Sequence, residues 1–397
     1  MKILCVFGKH QYGDPARGIG TEYAAFVPTL KRLGHQVLHF ESWDRSTYAD
    51  FVELNRALLN TVEQARPDVL LAVQMNYEIW LETLRIIQLR GDVATVCWTT
   101  DDTWKYEQVS RFLGPFFHAM TTTDPSVVPL YHGDGIANVL PTQWAARADD
   151  LSPPLPASEC RYPVTFVGAA HGTRRQRVAK LARLGVEVQC FGHGWPSGSL
   201  AAEDLAVIMR QSIISLNFSN SSGRRTNMKA RMFEVPGAGG FLLTEPTEHL
   251  ERYYAVGDEI DVFHSMEDLA RKVRHYLGNP DLRDRIAVAG FERTRREHTY
   301  DHRMEDVLPF ALASRDQWIR RSREVLAPSF DDAVRSHVPG RAMKAGADCF
   351  GRLCTMVWGV NRGRRAARRA TFELSWRICR GKTFSASGLP GRLFYDV

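Results

Sequence analysis

The sequence lacks any run of about 18 apolar residues, so no membrane-spanning helix is expected. It also lacks a Cys-x-x-Cys pair. Its seven cysteines, Cys5, Cys97, Cys160, Cys190, Cys349, Cys354 and Cys379, are odd in number and scattered. That fits reduced thiols in a cytoplasmic protein better than a disulfide framework or a zinc site. No Gly-x-Gly-x-x-Gly follows the first strand and no Gly-x₄-Gly-Lys-Ser/Thr occurs, which excludes the usual dinucleotide fingerprint and a P-loop. The body lacks a basic surplus. Of the net charge of +6, the segment from Arg341 onward carries 12 Lys/Arg against 3 Asp/Glu, leaving the rest at about −3. Nucleic-acid binding by the body is therefore not implied. The apolar stretch Met1–Phe7 is too short for a secretion signal and reads as a strand.

What is present is ordinary for a globular protein: 44% hydrophobic and 24% charged residues over 397 positions, enough for two domains and an extra segment. Short apolar runs alternate with helical patterns. Strands are expected at Lys2–Phe7, Gln36–Phe40, Asp68–Val73, Val93–Trp98, His118–Thr122 and Ala137–Leu140, and helices at Thr21–Leu33, Tyr48–Arg66, Tyr77–Leu89 and Asp124–Tyr131. Thr21 reads as the first N-cap. This β-α-β-α order predicts an α/β, doubly wound first domain over 1–150. The Pro-, Ser- and Asp-rich stretch Ala145–Arg161 reads as a linker. A second α/β domain over 151–300 opens with the strand Val164–Val167, a small-residue loop from Gly168, and a helix that Thr173 caps. Further strands are expected at Val186–Gly192 and Ser212–Phe218. Helices are expected at Leu200–Met209, Thr247–Tyr254, Met266–Leu277 and Pro280–His298. A return helix occupies 301–327 and a basic tail 328–397.

Three places carry candidate chemistry. Asp101 and Asp102 stand just past the strand Val93–Trp98, where open α/β sheets place ligands; a helix cap is the competing reading. After Gly168, a helix start with Arg174, Arg175 and Arg177 suits a phosphate. The third is Lys229–Glu245. Lys229 and Arg231 surround Glu234, a Gly237-Ala-Gly-Gly240 turn follows, and the apolar run Phe241–Leu243 ends in Thr-Glu. Helix, tight turn and strand are expected here, the glycines letting another group approach the backbone. Arg224 and Arg225 precede it, so four cations gather beside one carboxylate, as a pyrophosphate requires. An ordinary helix ion pair is the alternative for Glu234.

The run Arg231-x-Phe233-Glu234-x-Pro236-x-Ala238-Gly239-Gly240-Phe241-Leu242-Leu243-Thr244-Glu245 resembles the central motif of the CgeB-type, spore-maturation-protein-like glycosyltransferases. The likeness continues through Gly257–Phe263 to His298–Arg303 and ends after Pro328. These belong among the GT-B enzymes, whose two Rossmann-like domains face a central cleft and use a nucleotide-diphosphate sugar as co-substrate. Asp101 and Asp102, one adjacent pair with no third ligand nearby, define no Mg²⁺ or Mn²⁺ site, so no metal and no other cofactor is expected. The resemblance implies donor contacts from Gly168, Arg174, Arg224, Lys229, Arg231, Glu234, Gly239, Gly240 and Glu245, with Glu234 on the nucleotide ribose. It places His10, Gly18 and Gly20 near the acceptor and makes Asp101, Asp102 and His10 the candidates for activating it. Many retaining relatives carry a further glutamate where this chain has Thr226, so retention does not follow. The acceptor, a glycan, lipid or protein, is not specified. The rival readings are a non-catalytic sugar-nucleotide or glycan binder of the same fold, and a nucleotide-sugar epimerase.

In the tail, basic and aromatic residues alternate at helical spacing. A solvated basic tail, a helix lying on the anionic inner face of a membrane, and RNA contact all fit that pattern.

Overall fold

The computed structural model describes residues 1–198, 200–219, 228–321 and 326–395. It divides into two compact units: residues 1–142 with 306–397, and residues 143–305.

Unit 1 is built on six parallel strands, β1 (Lys2–Val6), β2 (Gln36–Phe40), β3 (Val69–Ala72), β4 (Ala94–Trp98), β5 (Ala119–Thr122) and β6 (Val139–Pro141). Their order in the sheet is β2-β1-β3-β4-β5-β6. Ile3 lies opposite Val69, and Val69 opposite Ala94. β3 and β4 are buried throughout, as expected where helices cover both faces of a parallel sheet. The helix Thr21–Arg32 starts without any side-chain cap, so the expected Thr21 cap is not made. The helix expected from Tyr77 begins only at Leu81. Before it, the Glu78 carboxylate accepts the Met75 and Asn76 N–H groups, and Asn55 Oδ1 accepts the Trp80 N–H at 2.9 Å. Those side-chain bonds satisfy the N–H groups of 75, 76 and 80 without a helix.

The chain returns to unit 1 within the helix Tyr300–Arg321 and continues through Phe330–His337, Arg341–Trp358, Val360–Cys379 and Leu389–Leu393. This corrects the expectation of a solvated tail. Phe384 and Ala386 are fully buried in the same apolar cluster as Leu4 and Leu70, with Phe330, Phe372 and Tyr395 packed against it. The Phe51 and Tyr395 rings meet edge to face at 4.8 Å. Aromatic residues spaced along a basic segment thus close one face of unit 1. No helix among the described residues is long and apolar enough to cross a membrane.

Unit 2 carries five parallel strands, β7 (Tyr162–Val167), β8 (Gln189–Phe191), β9 (Ser212–Asn217), β10 (Leu242–Thr244) and β11 (Asp261–Val262), ordered β11-β10-β9-β7-β8. The helix expected over Thr247–Tyr254 is only a short turn, Leu250–Arg252, because His249 takes a left-handed backbone, φ 66°. The expected linker Ala145–Arg161 is stitched into unit 2. Ala146 N–H donates to the His298 carbonyl at 2.9 Å and Ser152 N–H to Gly237 at 3.1 Å. The fully buried Arg283 donates to the carbonyls of Leu155, Ser212 and Ile213 at 2.8, 2.8 and 2.7 Å. One guanidinium thereby ties a carbonyl of the proline-rich strip to the start of β9.

In both sheets the chain first adds a strand on one side and then crosses to the other. The order reverses between β1 and β3 in unit 1, and between β7 and β9 in unit 2. The carboxyl ends of the strands beside such a reversal are where open parallel sheets hold ligands.

Candidate functional site

At the unit 2 reversal, β7 ends at Val167 with Gly168 next, β9 ends at Asn217 and β10 ends at Thr244. The helix Arg231–Gly237 sends the Arg231 side chain into that corner. Its Nη1 donates to Asn217 Oδ1 at 2.9 Å, its guanidinium stacks 5.0 Å from the Phe166 ring centre, and its Nε finds no partner among the described residues. Arg231 makes no ion pair among the described residues. Burial, and then the neighbouring Arg174, push its pKa down to about 10. A cation held this way, desolvated and short of an anion, is an unfavourable state that a bound anion would relieve.

Gly168 makes the arrangement possible. Its φ is +147°, and a Cβ at that position would lie 2.1 Å from Arg231 Nη2. The Trp195 indole N–H holds the Gly168 carbonyl at 2.7 Å.

Three residues beyond Arg231 on the same helix, the Glu234 carboxylate accepts no hydrogen bond among the described residues. Burial raises its pKa, opposed by Arg231 and Arg147 and reinforced by Asp150. Arg147 is itself clamped to Asp150 by two bonds of 2.6 Å. Lys229, half-buried, stands just before the helix.

Other expected donor residues are placed differently. Arg174 is buried and donates to the Ala169 carbonyl at 2.9 Å and the Phe218 carbonyl at 3.2 Å, which makes it a brace for the loop after β7. The expected Thr173 cap is absent. Glu245 is engaged by Arg177 and by the Ser219 N–H at 2.8 Å, so it ties β10 to β9. Gly239 and Gly240 face their own chain. A Cβ on Gly239 would meet the Ser152 carbonyl at 2.5 Å, and one on Gly240 the Met209 carbonyl at 2.6 Å. In the Gly-Ala-Gly-Gly turn, the 152–154 strip makes the close approach at Gly239, and Met209 and Val235 make it at Gly240. Arg224, Arg225 and Thr226 lie outside the described residues.

In unit 1 the two aspartates separate. Asp102 is buried, its carboxylate accepting from Thr99 at 2.6 Å, Ser110 at 2.5 Å and Tyr131 at 2.7 Å. It is a core anchor, and burial raises its pKa against those three hydroxyls. Asp101 starts the short helix Asp102–Lys105 without a side-chain cap bond, which removes the capping alternative. It shares its surroundings with Tyr12 and Glu22, whose pKa values are raised by burial and, secondarily, by Asp101. His10 and Gly20 are neighbours. His10 bridges to Ile19, and Gly20 N–H donates to Lys9 at 2.9 Å. Gly18 turns the loop with φ +81°.

Sequence reasoning missed Phe166 and Asn217. Asn217 was detectable as a polar residue closing an apolar strand run. Phe166 looked like any core aromatic, and its cation-facing role needed the fold.

A family model described as glycosyl transferase-like matches residues 174–309. No curated protein sequence matches the chain. Among solved structures, the chain is similar to the catalytic domain of starch synthase IV from Arabidopsis thaliana bound to ADP and acarbose (TM-score 0.54, 10% identity, covering 79% of this chain and 99% of that one). It is also similar to sucrose-phosphate synthase from Thermosynechococcus elongatus (0.53, 12%, 81% and 99%). Anabaena Alr3699/HepE in complex with UDP is a third (0.51, 10%, 78% and 100%). The chain therefore has the α/β fold of the GT-B glycosyltransferases, two parallel-sheet Rossmann-like domains, and its residues 174–309 are glycosyl transferase-like in sequence.

Proposed function

We propose that this chain transfers a sugar from a nucleotide-diphosphate donor to an acceptor hydroxyl. The observation that carries the reading is Arg231, a desolvated guanidinium at the β7/β9 reversal that has no carboxylate partner among the described residues, three residues from a glutamate that accepts no hydrogen bond among them. Two of the similar structures hold a nucleoside diphosphate, UDP in one and ADP in the other.

In this reading the acceptor oxygen attacks the anomeric carbon while its bond to the diphosphate breaks. Arg231 and Lys229 take up the charge on the leaving diphosphate, which is stabilisation where charge develops. Cationic side chains rather than a metal ion do this work. Glu234 accepts from the ribose hydroxyls. In unit 1, Asp101 and His10 are the candidates for receiving the acceptor proton; Asp102, enclosed by three hydroxyls, is not.

Incubation with a panel of UDP-, GDP- and TDP-sugars tests this. Released nucleoside diphosphate is expected, and it should persist in EDTA. Loss of a charge-assisted hydrogen bond costs about 1.5–3 kcal/mol, so Glu234→Gln should cut turnover about ten- to a hundredfold with the fold intact. An isomerised sugar would indicate an epimerase instead, and saturable binding without turnover a binding protein.

A further inference from the structure

The helices Arg341–Trp358 and Val360–Cys379 form a hairpin that turns at Gly359, φ +78°. They cross very closely. A Cβ on Gly363 would lie 2.3 Å from Thr355 Cα. Cys354 and Ala367 are buried at the contact, with Phe394 beneath them. The small residues at the crossing leave the large apolar ones pointing outward at the turn. Met356, Val357, Trp358 and Val360 are 80%, 70%, 55% and 83% exposed, and Leu353 adds to them one turn back. Residues 341–369 contain eight Lys/Arg and a single acid, Asp348. Arg352, Arg362, Arg364, Arg365 and Arg369 are all exposed on the arms behind the tip.

Apolar tip and cationic collar together have one natural counterpart. A convex turn offers no groove for a peptide, and its collar repels a second copy of itself. The boundary of an anionic bilayer accepts both parts: acyl chains take the methionine, valines and tryptophan, and lipid phosphates take the arginines. The apolar stretch is far too short to span the hydrocarbon core, so the tip dips into one leaflet. We propose that the 341–379 hairpin is a membrane-docking element that binds anionic phospholipid surfaces, with Met356–Val360 inserted at the headgroup boundary. The proposal is independent of the donor chemistry assigned to unit 2.

The test is flotation of the full chain with vesicles of phosphatidylcholine alone or with 40 mol% phosphatidylglycerol, where the lipid fraction is a design choice of about two in five. Binding is expected only to the anionic vesicles and should fall steeply between low and high salt. Two variants separate the parts. Met356→Ser with Trp358→Ser should lose at least about tenfold in partitioning through the lost apolar insertion. Arg362→Gln with Arg364→Gln and Arg365→Gln should lose at least about as much and flatten the salt response. Circular dichroism spectra and thermal melts should match the parent in both variants, showing that each still folds. No flotation of the parent with anionic vesicles, or flotation unchanged in both variants, overturns the proposal. So does a parent dimer that the tip variant converts to a monomer, which would assign the tip to a second copy. Tight RNA binding abolished by the arginine variant, without flotation of the parent, also overturns it.

Discussion

Single residues decide most of what the site in unit 2 can do. Gly168 and Gly239 both have positive φ and both face a near neighbour, but the neighbours differ. Alanine at 168 would displace the Arg231 guanidinium, and alanine at 239 would press on the Ser152 carbonyl. Gly168→Ala should therefore weaken nucleoside-diphosphate binding at least about tenfold at a stability cost of roughly 1–3 kcal/mol. Gly239→Ala should carry the same stability cost and leave affinity unchanged in the folded fraction. Paired titration calorimetry and denaturant melts of the two variants check this. Two buried histidines set an acid limit. His118 Nδ1 accepts the Thr95 N–H at 3.0 Å, and His298 bonds the Tyr253 carbonyl through Nε2 at 2.8 Å. Burial lowers both pKa values to about 4. The folded values lie below the ordinary one of about 6.5, so the unfolded chain binds the protons first. Stability should be full above pH 6.5 or so and fall as pH drops toward 4, by up to about 3 kcal/mol per histidine. Denaturant midpoints across that range, compared with His118→Gln, read the slope; a flat profile would contradict it.

At the scale of elements, the doubly wound order was legible because buried parallel strands read as largely apolar runs. Val69–Ala72, and Ala94–Trp98 with its one threonine, are examples. Helix starts were less legible, since they depend on which side chain reaches which N–H. Glu78 and Asn55 hold back the helix at Leu81 through contacts that spacing does not reveal. The glycine turn was seen, but its partner was not. Only the fold shows that the strip at 152–154 fills the space that Gly239 leaves, and Met209 and Val235 that at Gly240. The linker expectation failed for a related reason. Its composition is that of a loop, yet Arg283, more than 120 residues further on, bonds the Leu155 carbonyl and the start of β9. Removing that side chain takes a donor from three carbonyls, the Ser212 bond being buried, at about 1–3 kcal/mol for each one left unsatisfied. Arg283→Ala should destabilise unit 2 by about 3 kcal/mol or more, and Arg283→Lys, with no planar fork, should recover only a part. Hydrogen exchange across β9 and 152–157 is the readout, and protection equal to the parent would remove Arg283 as the tie.

For the whole molecule, the motif around Arg231 and Glu234, singled out in the sequence, falls beside the β7/β9 reversal of unit 2. The supporting cast did not come with it. Arg174, Glu245 and the glycines at 239 and 240 turned out to build the corner, and Phe166 and Asn217 to line it. Asp102 carried the same chemical promise as Asp101 in the sequence, but three hydroxyls enclose it in the core. Polar residues next to one another in sequence diverge when a strand end sends one inward and the next outward. The C-terminal segment was readable as basic and amphipathic. That it closes a face of unit 1 depended on where Phe384 and Tyr395 land.

The central claim is that Arg231 is a cation kept ready for a diphosphate. Isothermal titration of UDP, GDP and ADP into the parent chain and into Arg231→Ala tests it most directly. At least one diphosphate should saturate a single site on the parent, and the variant should bind it about ten- to a hundredfold more weakly, the loss of one charge-assisted hydrogen bond. A parent that binds none of the three, or a variant that binds as tightly as the parent, would contradict the account.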